Sequence, residues 1–220
     1  MRTSALRTLG GFVNVFAAES FVDECADRAG QDPVAYRLAM LSEPRARRVI
    51  ETVAAMAQWD KRPERGSGRG KGFGFARYKN RAGYCAVVVE ASVDETVRLV
   101  HVWCAVDGGL IISPDGAINQ IEGGVIQGAS WTLKEGVRFA DGQVASATWD
   151  DYPILRFSEV PPVEVRLVDS TDQPSLGLGE AAHGPTAAAI GNAVAHALGA
   201  RIRDLPLNRE RIMATLLKGG

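Results

Sequence analysis

The chain is short of the residues that usually announce chemistry. It has three cysteines and three histidines, and its charge favours neither sign, with 25 Lys and Arg against 26 Asp and Glu. Cys25, Cys85 and Cys104 are far apart and form no CxxC pair, which excludes an iron–sulfur cluster or a structural zinc held by this chain. Reduced, buried thiols are the expectation. A formal charge of −1 gives no general attraction to nucleic acid or to an anionic membrane. No run approaches the roughly 18 apolar residues of a membrane span. The opening residues also lack the apolar core of a signal peptide.

What is plentiful is glycine, with 24 residues, and the most informative cluster is Gly177-Leu178-Gly179-Glu180-Ala181-Ala182-His183-Gly184-Pro185. Glycines around a single carboxylate let backbone approach something bulky. A helix follows over Thr186 to Leu198, with Gly184 and Pro185 suited to its start, Ile190, Val194 and Leu198 as an apolar stripe, and Gly199 as its stop. Glu180 is therefore placed on a tight loop near the positive end of a helix dipole. Two roles are open to it: a loop carboxylate accepting backbone N–H bonds, or a working group. Glu180 and His183 form E-x-x-H, but no helix runs across both, so the pair does not converge on a metal. No side-chain metal site is expected.

Along the chain, helical spacing predicts Phe12 to Ala29, a short helix opened by Asp32-Pro33, and a third from Pro44 to Trp59. Residues 60–72 read as a basic, glycine-rich linker, and Gly66 to Gly72 is not a phosphate loop, since no strand precedes it and no Ser or Thr follows the lysine. Alternating, β-branched segments come next at Phe73 to Arg77, Tyr84 to Val93 and Val97 to Val106. Ser113 to Gly116 reads as a turn, Ala117 to Leu133 as a helix, Val137 to Thr148 as a hairpin through Asp141-Gly142, and Val163 to Leu167 as a strand. The four tryptophans, Trp59, Trp103, Trp131 and Trp149, fall within or beside apolar segments and read as core. The expected fold class is α+β, with a mixed or antiparallel sheet, a helical segment over 1–59 packing as one group, and an α+β segment over 73–220.

On the Ala117 to Leu133 helix, Gln120, Gly124 and Gly128 recur every four residues with Gln127 beside them. Glycine inside a helix costs about 1 kcal/mol relative to alanine, so the pattern asks for a reason. Close helix packing is one. A planar ligand lying in the groove, with Gln120 hydrogen-bonding its heteroatoms, is the other. Glu122 lies on another face and reads as half of a structural pair.

Three segments together carry a family resemblance. Gly177-Leu178-Gly179-Glu180 resembles the GxGE segment of the large, molybdopterin-binding subunit of the xanthine oxidase family of molybdenum hydroxylases. Asn119-Gln120-Ile121-Glu122-Gly123-Gly124-Val125-Ile126-Gln127-Gly128 resembles that family's QxEGGxxQG motif. Arg7-Thr8-Leu9-Gly10-Gly11, leading into Phe16 to Phe21, is similar to its Arg-containing loop and following helix. The segments occur in the family's order over nearly the whole chain, and the bacterial isoquinoline oxidoreductase and aldehyde dehydrogenase type is the nearest in flavour.

The resemblance implies the C-terminal part of such a subunit: a fragment, a split gene product or a truncated frame. It further implies Glu180 as general base on an oxygen bound at the metal, its pKa raised by burial in a dry site. Gln120, Gly124, Gln127, Gly128, Arg7, Thr8, Gly177 and Gly179 would contact cofactor, and Leu9 would line the substrate pocket. Leu9 stands where xanthine-using members carry an aromatic ring, which argues against a purine. The implied cofactor is molybdopterin, in its cytosine dinucleotide form, with molybdenum. A 2Fe-2S cluster and FAD or haem would sit on partner subunits, and an aldehyde or N-heteroaromatic ring would be the substrate, with water as oxygen source. Implied partners are the remainder of the molybdenum subunit and an iron–sulfur subunit. A cytoplasmic location is expected, or a periplasmic one directed by a signal on a missing N-terminal part or a partner. The isolated chain is expected to be inactive. The alternative is a non-catalytic assembly module that keeps the fold without cofactor, a role that needs neither Gln120 nor Glu180.

Overall fold

The computed structural model describes residues 4–218; Met1 to Thr3, where the opening residues were read for a signal peptide, lie outside it. Three helices come first: α1 (Gly11–Arg28), α2 (Pro33–Met40) and α3 (Pro44–Met56). Asp32 caps α2, accepting from Val34 N and Ala35 N at 2.9 Å each, and Pro33 supplies the fixed φ of the first turn. Strands β1 (Arg69–Arg77), β2 (Tyr84–Val93) and β3 (Val97–Asp107) then run as an antiparallel meander. After α4 (Pro114–Leu133) and a minimal hairpin, β4 (Phe139–Ala140) and β5 (Gln143–Val144), strand β6 (Val163–Leu167) joins β3 in parallel. The four-stranded sheet has the order β1-β2-β3-β6, and α5 (His183–Leu198) and α6 (Arg209–Lys218) close the chain. The fold is α+β with a mixed sheet, as expected.

Alternation along β2 divides its side chains between two cores. Cys85, Val87 and Val89 face α4 and α5, meeting Ile121, Val125, Ile190 and Val194. Tyr84, Ala86 and Val88 face α2 and α3, meeting Val34, Val49, Ile50 and Val53. A strand covered on both sides reads as a continuous apolar run, as Tyr84 to Val89 does. Full burial of each large aliphatic side chain is worth about 1.5–3 kcal/mol.

Several expectations need correction. The linker expected over 60–72 ends earlier, because β1 begins at Arg69. Gly70, Gly72 and Gly74 alternate along one face of β1, and a Cβ on any of them would lie 2.0–2.3 Å from the α5 backbone. Glycine is depleted in strands generally, so its abundance here hides a strand whose bare face is what seats a helix. α5 is accordingly buried on nearly every side rather than along one stripe, and it begins at His183. The first three helices touch in sequence, Arg37 of α2 pairing with Glu19 and Asp23 of α1, but each also packs on the rest of the fold. α1 crosses α5, with the Phe16 ring against Gly191, while α3 shares the opposite core with the sheet. Ser113 to Gly116 is no free turn but the start of α4, with Ser113 as N-cap and Pro114 in the first turn. Trp149 is 76% exposed, not core.

Candidate functional site

The three stretches that carry the resemblance, far apart in sequence, converge at the N-terminal end of α5. The loop before α1 turns tightly, with Gly11 N donating to Thr8 O at 2.8 Å. That turn holds Thr8 at φ 74° and Leu9 at φ 52°, left-handed conformations that cost a β-branched residue most. Thr8 is buried, and its N–H donates to Glu180 Oε1 at 2.6 Å. The Thr8 backbone bond first, then the nearby Tyr78 hydroxyl, hold the Glu180 carboxyl below its usual range. This overturns the expectation that burial raises it: the carboxylate is half-buried and its hydrogen bonds outweigh desolvation.

Arg7 clamps the same loop. Its Nε and Nη2 donate to Gly179 O at 2.8 and 2.6 Å, and Gln120 Nε2 reaches the same carbonyl from α4 at 2.9 Å. Arg7 Nη1 donates to Gln127 Oε1 at 3.0 Å, and His183 Nε2 approaches that oxygen at 3.0 Å. A guanidinium only donates, so the atom it meets is the amide oxygen. His183 must then donate from Nε2, and among the described residues Gln127 keeps its N–H2 free to donate while Gln120 keeps its Oε1 free to accept. Burial, then the charge of Arg7, lower the His183 pKa to about 4, so its ring is neutral at neutral pH.

The helix glycines have the packing role. A Cβ on Gly124 would lie 3.2 Å from Ala182 Cβ and from the His183 ring, and one on Gly128 would lie 3.3 Å from the His183 backbone. Their face is filled by the first turn of α5, which admits the imidazole. Gly177 sits apart from the cluster, its carbonyl accepting from Gly83 N at 3.2 Å. Glu122, read as half of a pair, makes no salt bridge among the described residues. His101 stacks on Trp103 with ring centroids 4.2 Å apart, away from this region.

A cavity of about 390 Å³ opens beside Glu180. Thr8, Leu9, Ala181 and Pro185 line it together with Arg77, Tyr78, Lys79 and Asn80 at the end of β1. Burial first and then the Glu180 carboxylate push the Tyr78 phenol up to about 12. Tyr78 Oη and Thr8 Oγ1 are buried without a regular hydrogen bond. Sequence reasoning missed Tyr78 and Lys79. An aromatic and a basic residue at a strand end carry no periodic signal, and only the fold brings them to the cavity that Leu9 and Glu180 also line. Among the described residues, no cluster of His, Cys, Asp and Glu is arranged to hold a metal ion. The site offers a fixed carboxylate, a donor amide, an acceptor amide and an open pocket.

Residues 17–161 match the molybdopterin cofactor-binding domain family. The chain is 40% identical to a nicotinate dehydrogenase subunit of Pseudomonas putida, over 98% of this chain and 20% of that protein. It is also 40% identical to the beta subunit of isoquinoline 1-oxidoreductase of Brevundimonas diminuta, over 92% of this chain and 26% of the relative. Quinoline 2-oxidoreductase from Pseudomonas putida 86 superposes with a TM-score of 0.56 at 31% identity, covering 62% of this chain and 18% of that one. Aldehyde oxidoreductase from Desulfovibrio gigas gives a TM-score of 0.78 over 99% of this chain and 42% of its own; at 14% identity that likeness concerns the fold alone. The chain spans about a fifth to a quarter of the two curated relatives.

Proposed function

We propose, from the premise that this chain belongs to the xanthine oxidase family through its molybdopterin cofactor-binding domain, that it forms the base-bearing wall of a molybdenum hydroxylase active site. The bound cofactor would supply the molybdenum centre at which the substrate is oxidised. The residues present fit such a group: the free Gln127 N–H2 and Gln120 Oε1 offer a donor and an acceptor to its heteroatoms, and Thr8 Oγ1 is an orphaned buried hydroxyl beside them. Arg7, Thr8 and Gly179 hold the framework of this wall.

Glu180 is the catalytic base in this reading, and one observation carries it. Its carboxylate is ionised, held by Thr8 N–H at one oxygen, and borders the cavity. The oxygen not engaged by Thr8 can accept a proton from the nucleophilic water. Leu9 forms an apolar floor for an aldehyde or an N-heteroaromatic ring, substrate classes that agree with the names of the relatives. The cytosine dinucleotide form of the cofactor, a 2Fe-2S partner subunit with FAD or haem beyond it, the remainder of the molybdenum subunit as the missing walls, and a cytoplasmic or periplasmic location belong to the same proposal.

Glu180→Gln in the complete molybdenum subunit tests it. The substitution keeps shape and hydrogen bonding but cannot take a proton. Molybdenum content and folding should be retained, while anaerobic reduction of the metal by substrate slows by at least roughly a hundredfold. Unchanged reduction with the cofactor fully loaded would make Glu180 a loop anchor only.

A further inference from the structure

Tyr78 lines the same cavity as Glu180, and two loops far apart in sequence fix its phenol there. Its N–H donates to Gly83 O at 3.1 Å and its carbonyl accepts from Ala82 N at 2.9 Å, so a closed turn follows it. That turn carries Lys79 and Asn80 at φ 51° and 55°, two successive left-handed residues without glycine. Such strain persists where surrounding structure enforces it, commonly at functional sites. The ring rests where Gly11, in the turn that opens α1, has no side chain: a Cβ there would lie 3.2 Å from Tyr78 Cε2.

The phenol oxygen is buried without a regular hydrogen bond, and a buried hydroxyl that finds no acceptor is costly. Burial first, then the Glu180 carboxylate, push the phenol up to about 12, so it keeps its proton at neutral pH. An ionised carboxylate only accepts, which fixes the direction of any bond between the two. The other groups near Glu180 act differently. Thr8 N–H holds one of its oxygens at 2.6 Å, and Arg7 grips the Gly179 carbonyl instead of the carboxylate. His183, on α5, is neutral and is engaged with Gln127. Lys79 is exposed and acts on the carboxylate through its field alone. Of the side chains around Glu180, the Tyr78 phenol is the one placed to hydrogen-bond it.

We propose that Tyr78 is the positioning residue of the base, its hydroxyl donating to the Glu180 carboxylate in the working site. On the reading of Glu180 as the base, Tyr78 thereby sets the direction of that group and the pH above which it is free to take a proton. A carboxylate has about four acceptor sites, so Thr8 N–H and the phenol leave room for the transferred proton. Loss of the hydroxyl leaves a carboxylate that fills with a proton at higher pH.

Carbon-13 NMR titration of the full chain, labelled at its glutamate carboxyls, tests it, with the Glu180 signal identified by its absence in Glu180→Gln. Tyr78→Phe keeps the ring and removes the hydroxyl. It should raise the proton affinity of Glu180 by about threefold to tenfold, the range of a single hydrogen bond. In the complete, cofactor-loaded subunit the acidic limb of kcat/KM should move to higher pH by the same factor, with KM little changed. A Glu180 titration that stays in place or moves down in Tyr78→Phe would overturn the proposal. So would a rate lost equally at every pH, the mark of a ring that only fills space. Should Glu180→Gln keep full turnover while the NMR shift persists, the base reading has failed and the positioning role falls with it. A failure of the base assignment therefore appears in turnover of Glu180→Gln, and a failure of this one in the titration of Tyr78→Phe.

Discussion

α5 has a cavity at each end, and the two are alike in size but not in kind. The one at the N-terminal end, about 390 Å³, holds Glu180, strained backbone and the orphaned Thr8 hydroxyl. The one at the C-terminal end, about 340 Å³, is lined by four carboxylates, four arginines and His196. By charge alone the second would be taken for the site. Its carboxylates are, however, already satisfied: Asp27 by Arg65 at 2.5 Å, Asp23 by Arg37 at 3.0 Å, Glu24 by Arg203 at 2.7 Å and Asp32 by Trp59 Nε1 at 2.8 Å. None of its lining residues has a positive φ. Charge that is paired within the chain holds the chain together. Buried polar atoms without a partner occur at both cavities, Arg62 Nε, His196 Nδ1 and Arg201 Nε among them at the second; what sets the first apart is backbone that costs energy to maintain.

The largest effect that would sharpen this comparison is on acid stability. His183 and His196 both have pKa values lowered to about 4, chiefly by burial. A histidine whose folded pKa lies below its unfolded value of about 6.5 binds protons more readily when unfolded. Its contribution is complete above about pH 6.5 and is lost as pH falls towards 4. His183 is fully buried and should account for most of the loss, on the order of 3 kcal/mol at most; His196 is partly exposed and should account for less. Urea unfolding across that range should therefore flatten more in His183→Gln than in His196→Gln. The reverse order would mean that the C-terminal cavity is the drier of the two.

A smaller effect is expected at the Arg7 clamp. Arg7→Met removes two of the three donors to Gly179 O and the one to Gln127, and should cost about 1–3 kcal/mol. Gln120→Ala removes only one donor to that carbonyl, so in the complete subunit its mark should be lower molybdenum retention with folding kept. Metal analysis and thermal unfolding, made on both variants, separate the clamp from the contact. The smallest effect belongs to the other end of α5. Arg65 and Asp27 are half exposed, so Arg65→Met should change stability by less than about 1 kcal/mol despite the short distance. A larger loss there would show that paired surface charge matters more to this fold than its exposure implies.

Much of this is legible from residue order. Asp32-Pro33 specifies a helix start because the side chain caps and the ring presets φ, and the structure has it so. Asp141-Gly142 specifies a hairpin because both residues accept positive φ, 50° and 75°. The beginning of α4 and the strand over Gly70 to Gly74 escape such reading for one reason. Pro and Gly signal a break locally, whereas their use here depends on what packs against them. For the site, motif alone singles out Arg7, Gln120, Gln127 and Glu180, but the ligand groove it suggests at Gly124 and Gly128 is filled by His183.

Local sequence determined most of the elements, the two-faced apolar pattern of β2 and the motif residues Arg7, Gln120, Gln127 and Glu180, because capping, turn chemistry and periodicity act over a few neighbours. The protonation of Glu180, the amide orientation of Gln127 and the placement of Tyr78 and Lys79 in the Glu180 cavity were decided only by tertiary structure. Each depends on a partner far away in the chain, Thr8 and Glu180 being 172 positions apart and Arg7 and Gln127 120. The energy of a carboxylate or an amide is set by the dipoles around it, and those are known only once α1, α4 and α5 are packed together.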